Sequence, residues 1–287
     1  MTILNKKIDF AVLVSVNNAN PNGDPLNGNR PRQNYEGFGE ISDVAIKRKI
    51  RNRLQDMGES IFVQSNDRRT DEFNSLRERA DSNDKLKKVT SQKKVVEDDF
   101  IEVACSEWID VRSFGQVFAF KGKSGAAGVS VGVRGPVSIH TAVSINPINS
   151  TSMQITKSVN TETGDKKGSD TMGLKHRVDF GLYIFYGSIN TQLAEKTKFT
   201  MEDSEKIKEA LVSLFENDVS SARPDGSMEV NKVYWWEHRT KMGQYSSAKV
   251  HRSLEVTQNI EEPKSIDDFT ITLHQLDGLQ VEEIDGK

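Results

Sequence analysis

The sequence predicts an α+β fold, because segments with the two-residue period of a strand alternate with segments of helical period. Apolar side chains occupy every second position from Ile8 to Val16, which is typical of a strand. The same alternation runs from Val178 to Tyr186. Two amphipathic helices follow these strands, one after Ser42 and one after Thr200.

Capping residues mark where both helices begin. The hydroxyl of Ser42 suits an N-cap, and Gly58 suits the end of the first helix. Thr200 and Asp203 have the spacing of a capping box for the second helix. The buried face of the first helix is expected to carry Ile46, Ile50, Leu54 and Met57. The second is expected to bury Ile207, Leu211, Leu214 and Phe215.

The order of the elements predicts the topology. Residues 128–145 are rich in valine and isoleucine, with a bend expected at Gly135-Pro136, and further strands are expected near Trp235 and over 269–273. The long elements then run strand, helix, strand, strand, helix, strand. That order predicts a ferredoxin-like core of the kind found in RNA-recognition motifs.

We expect one domain over residues 1–287, with its core at about 6–58, 103–145 and 177–257. Residues 59–102 are highly charged and predict an insertion with helical pieces. Residues 146–176 are polar and predict a protruding hairpin or loop, since a core cannot be built from them. Residues 258–287 form an acidic C-terminal segment.

The net charge is −3, but the charged side chains are distributed unevenly along the chain. Residues 30–53 carry seven cations and three anions, which gives +4. Residues 255–287 carry nine anions and two cations, which gives −7, and we expect these acidic side chains to be solvated. The basic zone is compatible with a nucleic-acid surface, although cations that flank an apolar helix stripe usually only solubilise it.

The composition predicts a cytoplasmic protein without a membrane partner. No apolar run approaches the roughly 18 residues of a membrane span, and MTILNKKIDF lacks the features of a secretion signal. The single cysteine, Cys105, excludes an internal disulfide and lies in an apolar stretch, which predicts a buried, inert thiol.

Motifs for catalysis or cofactors are weak. Gly122-Lys123-Ser124 resembles part of a phosphate loop, but Val117 stands where the motif needs glycine. The five histidines are scattered, so no metal site and no cofactor are expected. Asp24, in a Gly/Pro-rich loop after the first strand, is the one carboxylate in a position suited to catalysis, and bracing of its own loop is the favoured interpretation.

Two regions suggest contacts with RNA. Arg30 and Arg32 precede the cations of the first helix, and together they would neutralise several phosphates. The protruding segment offers a methionine that could wedge between bases, together with several lysines: Met153, Met172, Lys157, Lys166, Lys167 and Lys175. Trp235 and Trp236 are candidates for stacking on bases, although one of them is expected to lie in the core.

Five segments of the chain carry a resemblance to a known family. They are NPNGDPLNGNRPR (20–32), SDVAIKRKIRNRL (42–54), WIDVRSFGQVFAF (108–120), RGPVSIHTAVSI (134–145) and DTMGLKHRVDFGLYIFYG (170–187). In their order and spacing the chain resembles, from about residue 8 to 257, the Cas seven family of CRISPR-associated proteins, specifically the backbone subunit of the subtype I-C Cascade complex. Their joint occurrence is far more specific than any one of them.

The resemblance implies a modified RNA-recognition fold, the palm, with inserted fingers (about 59–102) and a protruding thumb (about 146–176). It implies copies of this chain stacked as a helical homo-oligomer on a CRISPR guide RNA, with Cas five and Cas eight type subunits as partners. Target DNA would pair with the guide. The RNA-binding residues that it implies are Asn29, Arg30, Lys47, Arg48, Arg51, Gln116, Met172 and Lys175.

Two other functions are compatible with the same residues. Related type III subunits cleave target RNA with an aspartate in the loop after the first strand, so a metal-dependent endoribonuclease centred on Asp24 is the main alternative. The subtype I-C resemblance implies no nuclease activity. A structural filament protein with incidental RNA affinity is the third hypothesis.

Overall fold

The computed structural model describes residues 2–91, 96–120, 128–156 and 172–287. The strands are β1 (Ile8–Ala19), β2 (Gly23–Asp24), β3 (Arg30–Pro31), β4 (Phe38–Ile41), β5 (Gly115–Phe120), β6 (Val129–Arg134), β7 (Val137–Ile139), β8 (Ala142–Pro147), β9 (Ser150–Thr156), β10 (Met172–Ile189), β11 (Met228–Glu237), β12 (Leu254–Gln258), β13 (Phe269–Leu273) and β14 (Val281–Asp285). The α-helices are α1 (Asp43–Asp56), α2 (Leu76–Ser82), α3 (Asp84–Thr90), α4 (Glu97–Glu107), α5 (Ile109–Phe114), α6 (Thr191–Thr197), α7 (Met201–Val212) and α8 (Ser247–His251).

A large antiparallel sheet organises the molecule, and the predicted mixture of helices and strands is confirmed. Its strand order is β14-β11-β1-β10-β8-β4, and β7 and β9 also pair with β10. β1 lies in the middle, antiparallel to β10 on one side and to β11 on the other. Three smaller two-stranded sheets are formed by β2 with β3, β5 with β6, and β12 with β13.

Helices α1 and α7 pack on one face of the sheet. The predicted stripe of α1 is buried at Ile46, Ile50 and Leu54, against apolar side chains of β1, β10 and β11. The capping predictions are confirmed: the Ser42 hydroxyl accepts a hydrogen bond from the backbone of Ala45, and Thr200 forms a capping box with Asp203.

The opposite face of the sheet is also covered. Apolar side chains of the C-terminal segment, including Phe269 and Leu279, pack there on Leu13 and Leu182, while most of the segment's acidic side chains are exposed as predicted. The prediction that Trp235 or Trp236 stacks on bases is therefore wrong. Both indoles are 2% exposed, and they lie in the two clusters on opposite faces of the sheet.

A second apolar cluster lies beside the sheet. It contains Phe62, Phe100, Trp108 and Phe118, and it joins α2, α3, α4 and the β5–β6 hairpin. The predicted helical pieces of the charged insertion are thus α2, α3 and part of α4. None of the helices within the described residues is long and apolar enough to cross a membrane.

A two-stranded arm extends beyond β1. The N-terminal part of β10 pairs with β9 from Met172 opposite Thr156 to Val178 opposite Ser150, whereas β1 ends at Ala19 opposite Val178. These two strands lie in the segment for which the sequence predicts a protruding hairpin or loop. Lys157, Lys166 and Lys167, as well as the segment Gly122-Lys123-Ser124, lie outside the described residues.

Candidate nucleic-acid interface

The loop after β1 is tightly ordered by its own polar groups. An Asp24 carboxylate oxygen accepts a hydrogen bond from the backbone of Leu26 at 3.2 Å and lies 3.7 Å from the Arg32 guanidinium. Asn29 has a φ of 61°, and the Asn20 amide donates to its carbonyl at 2.8 Å. A Cβ at Gly23 would meet the Asn29 side chain at 2.0 Å, so any other residue there would displace that side chain. The favoured interpretation of Asp24, that it braces this loop, is confirmed.

Two of the predicted contact residues protrude from this loop. Asn29 and Arg30 are both exposed. Among the residues described, the Arg30 guanidinium has no hydrogen-bonding or ionic partner, so it can bind a phosphate without first breaking an internal ion pair. Arg32 has its partner in Asp24, and its Nε is buried.

Lys47 is the most available cation on the side of α1 that carries Arg51. Its ammonium lies 2.9 Å from Asp43, four residues earlier on the same helix, and its side chain is 25% exposed. Ion pairs of this kind on a helix surface contribute only about 0.3–0.5 kcal/mol, so a phosphate can compete for Lys47 at low cost.

Arg51 is held inside the protein instead. Its Nε lies 3.1 Å from a carboxylate oxygen of Asp110, which is 1% exposed. The same carboxylate accepts hydrogen bonds from the backbone of Phe62 at 2.8 Å and of Val63 at 3.0 Å. The Arg51 guanidinium also stacks over the Phe114 ring, at 5.0 Å from its centroid. Arg51 therefore ties α1 to the second cluster.

Arg48 has one internal hydrogen bond, from Nη1 to the carbonyl of Val63 at 2.7 Å. Burial, and secondly the neighbouring Arg51, lower the pKa of Arg48 below its ordinary value. The nearby carboxylates of Asp110 and Asp67 oppose this shift. Arg48 is therefore a partly desolvated cation that lies beside a second cation and near two acids.

The other flank of α1 borders a cleft that the sequence analysis did not identify. Lys49 forms an ion pair with Asp218, which also lies 3.1 Å from Arg223. Arg68 forms an ion pair with Asp56 and donates to the carbonyl of Asn217 at 2.9 Å. The cleft is lined by Arg48, Lys49, Arg68 and Arg223, with Asp67 and Asp218 as its acids. Arg68 and Arg223 are distant in sequence from α1, so no local pattern predicts their convergence.

Gln116 and the arm residues belong to other elements than this loop and helix. Gln116 is half-buried at the start of β5, and its amide donates to the carbonyl of Val117 at 3.0 Å. Met172 is 55% exposed in the arm, and the Gln154 amide donates to its sulfur at 2.9 Å. Lys175 is half-buried and paired in register with Met153. The structure thus brings Asn29, Arg30, Lys47, Arg48 and Arg51 together at the loop and helix, and places the rest on other elements.

The candidate groups for metal binding and for a reactive thiol can be located within the described residues. Within them, no group of three or more His, Cys, Asp or Glu side chains could hold a metal ion. Cys105 is 1% exposed, and burial raises the pKa of its thiol to about 12. The predicted burial of this thiol is confirmed, and its lack of reactivity stays a prediction.

The fold and this surface define a class: a mixed α/β protein with a large antiparallel sheet and a basic loop-helix surface. The chain belongs to the CRISPR-associated protein Cas7 family, whose model matches residues 6–274. A curated relative, "CRISPR-associated protein Cas7" of Haloferax volcanii, is 27% identical over 238 residues, which cover 77% of this chain and 67% of the relative.

Two solved structures are similar at low sequence identity. A chain of a "CRISPR RNA-guided surveillance complex, pre-nicking" matches with a TM-score of 0.48 and 15% identity, covering 80% of this chain and 78% of that chain. A chain of a "CRISPR RNA-guided surveillance complex" matches with a TM-score of 0.40 and 14% identity, covering 95% of this chain and 77% of that chain. The family assignment rests on the sequence matches.

Proposed function

We propose that this protein is a non-catalytic backbone subunit that binds the CRISPR guide RNA in a type I-C Cascade complex. The family membership and the five sequence segments support the assignment. The single observation that carries the RNA-binding role is the exposed Arg30, which protrudes without a partner among the described residues from a loop braced by Asp24. A cation of this kind is preorganised for phosphate.

The sheet with α1 and α7 is, in this proposal, a ferredoxin-like palm. The order β11-β1-β10-β8 with two helices on one face is the order of a split β-α-β fold, and it supports this interpretation. The fingers would comprise the second apolar cluster, from about residue 59 to Arg134, which is wider than the charged insertion alone. The thumb would be the arm of β9 and β10.

RNA would be held by its backbone and not by its bases. Both faces of the sheet are covered, so the aromatic base-stacking surface of ordinary RNA-recognition domains is not available. Phosphate contacts position a nucleic acid without reading its sequence, which is what a carrier of varied guides requires. Pairing with target DNA then supplies specificity, by analogy with single-protein effectors.

The predicted residues divide into three roles in this proposal. Asn29, Arg30, Lys47, Arg48 and Lys175 contact the RNA backbone, and the exposed Met172 stacks on or separates bases where the arm crosses the guide. Arg51 and Gln116, which have internal partners, position α1 and the β5–β6 hairpin. Copies of this chain would form a helical homo-oligomer along the guide, with Cas five and Cas eight type subunits in the complex.

A charge-removal experiment tests this proposal. Arg30→Gln with Lys47→Gln removes two cations that have little structural role. Each phosphate contact on a single strand contributes a slope of about −0.7 to log K against log salt, so the pair should lower the slope by about 1.4 and weaken binding roughly 25-fold at 0.1 M salt. The matched control, Arg239→Gln with Arg252→Gln, removes two exposed cations elsewhere and should bind as wild type. Equal binding by both double variants would refute the site.

The non-catalytic proposal has its own test. The assembled complex is incubated with complementary RNA and Mg²⁺ or Mn²⁺, and the RNA is examined on a sequencing gel. We expect intact RNA with wild type and with Asp24→Ala. Regular cuts that disappear in Asp24→Ala would establish the endoribonuclease instead.

A further inference from the structure

We propose that the cleft between α1 and the loops at 64–68 and 217–223 is a second binding site for a phosphate group. It deepens the RNA-binding function and rests on it where the phosphate comes from RNA. The phosphate is taken either from the guide backbone or from a free nucleotide, and the experiments below distinguish the two. The site lies on the flank of α1 that carries Lys49, away from Lys47.

The charge of the cleft is the first argument. Four cations and two acids line it, and Asp56, the ion-pair partner of Arg68, lies beside it, so the balance is one positive charge in a partly buried space. Asp218 is shared by Lys49 and Arg223, and the acid of the cleft that attracts Arg48 is Asp67, with which Arg48 forms no ion pair. An anion of one charge would neutralise the excess.

The shape of the cleft and its burial are the second argument. It encloses about 320 Å³, which is enough for a phosphate with its flanking atoms. The Lys49 side chain is only 7% exposed, while those of Arg223 and Arg68 are 28% and 20% exposed, so Lys49 is the most buried of these three cations. Charge-assisted hydrogen bonds in such a partly desolvated space are stronger than those on an open surface.

Hydrogen-bond donors that remain available are the third argument. Arg48 uses one nitrogen for the carbonyl of Val63, which leaves the rest of its guanidinium for an anion. Asn22 accepts a hydrogen bond from the backbone of Ser42 through Oδ1, which leaves its amide hydrogens. The Ser220 hydroxyl accepts from the backbone of Arg223, so its own hydrogen can be donated. Such a set of donors, with cations around it, matches the acceptor-only oxygens of phosphate.

Phosphate binding tests the site directly. Inorganic phosphate is titrated into the protein by calorimetry, against potassium chloride of equal ionic strength. We expect saturable binding by wild type and by the control Arg239→Gln with Arg252→Gln, and no binding by Arg68→Gln with Arg223→Gln. Because the latter pair also loses internal ion pairs, Arg68→Lys with Arg223→Lys is measured as well, and it should retain most of the affinity. Equal binding by all variants, or none by wild type, would overturn the proposal.

RNA binding identifies the source of the phosphate. If the guide occupies the cleft, Arg68→Gln with Arg223→Gln should bind single-stranded RNA about fivefold more weakly at 0.1 M salt and lose about 0.7 from the salt slope, the value of one phosphate contact. Phosphate binding without any change in RNA affinity would support the site and assign it to a free nucleotide. A wild type that binds phosphate but no RNA would refute the proposed function and leave this site standing.

Discussion

Replacing Arg51 and Lys47 separately by glutamine should separate the structural cations of α1 from those that bind RNA. Both lie on the same flank of one helix, and both substitutions remove one charge. Arg51→Gln leaves Asp110 buried with two backbone donors but without its ion-pair partner. Breaking a buried ion pair costs about 3–5 kcal/mol, and the two remaining hydrogen bonds bring the expected loss to about 2–3 kcal/mol. Lys47→Gln loses one helix-surface pair, worth about 0.3–0.5 kcal/mol.

Thermal unfolding and RNA binding are measured on the same preparations. For a chain of this size, about 2–4 °C per kcal/mol predicts a Tm lowered by about 5–10 °C in Arg51→Gln and by no more than about 2 °C in Lys47→Gln. RNA affinity should fall about fivefold in Lys47→Gln, as one phosphate contact predicts, and change less in folded Arg51→Gln. An unchanged Tm in Arg51→Gln, or a larger loss of RNA affinity in Arg51→Gln than in Lys47→Gln, would refute this division of roles.

Three further predictions follow from buried groups. Cys105, whose thiol pKa burial raises to about 12, should not react with Ellman's reagent at pH 8 until the protein is unfolded; rapid reaction in the native state would contradict its burial. Burial lowers the pKa of Lys49 to about 8, against an ordinary 10.5. Between these two pH values the unfolded chain binds more protons than the folded chain, so the free energy of unfolding of wild type should rise by up to about 3 kcal/mol as pH increases through that window. Lys49→Gln should not show this rise. Denaturant unfolding at pH 7.5–9.5 measures the difference, and parallel curves would refute it. Asp9 is buried, and its carboxylate lies 2.8 Å from His238 and 3.0 Å from Lys7. Burial opposes its ionisation, but these partners lower the pKa of Asp9 overall. Asp9→Asn should therefore lower the free energy of unfolding by about 2–4 kcal/mol at pH 7, and a stability equal to wild type would show that the network contributes nothing.

Elements with a local signal could be predicted from the sequence. The ends of α1 follow from the Ser42 cap and from Gly58, whose φ of 87° suits the turn after a helix. The two long strands follow from their alternation, and the bend at Gly135-Pro136 separates β6 from β7. These features depend on neighbours within a few residues, and a sequence displays such neighbours directly.

Features that depend on distant contacts could not be predicted. The segment that predicts a strand at 269–273 pairs with β12 and not with the large sheet, while the acidic β14 joins that sheet next to β11. The burial of both Trp235 and Trp236 requires the C-terminal segment to cover the second face. A period of two tells which side chains share a face, but not what covers that face.

The candidate site shows the same limit. Arg48 and Arg51 have the spacing of solvent-facing cations, and only the fold reveals their partners in Val63 and Asp110. Arg68 and Arg223 join the cleft from loops that are 155 positions apart in the sequence. The exposure of Arg30 could be predicted because its loop is short and rich in turn residues. Partners contributed by remote loops leave no local pattern.

The most direct test of the central claim is to purify the protein together with its genomic neighbours, extract the bound nucleic acid and sequence it. A guide-RNA backbone subunit predicts RNAs of uniform length that carry a repeat-derived flank around varied spacers. Heterogeneous cellular RNA, or a complex without nucleic acid, would contradict it.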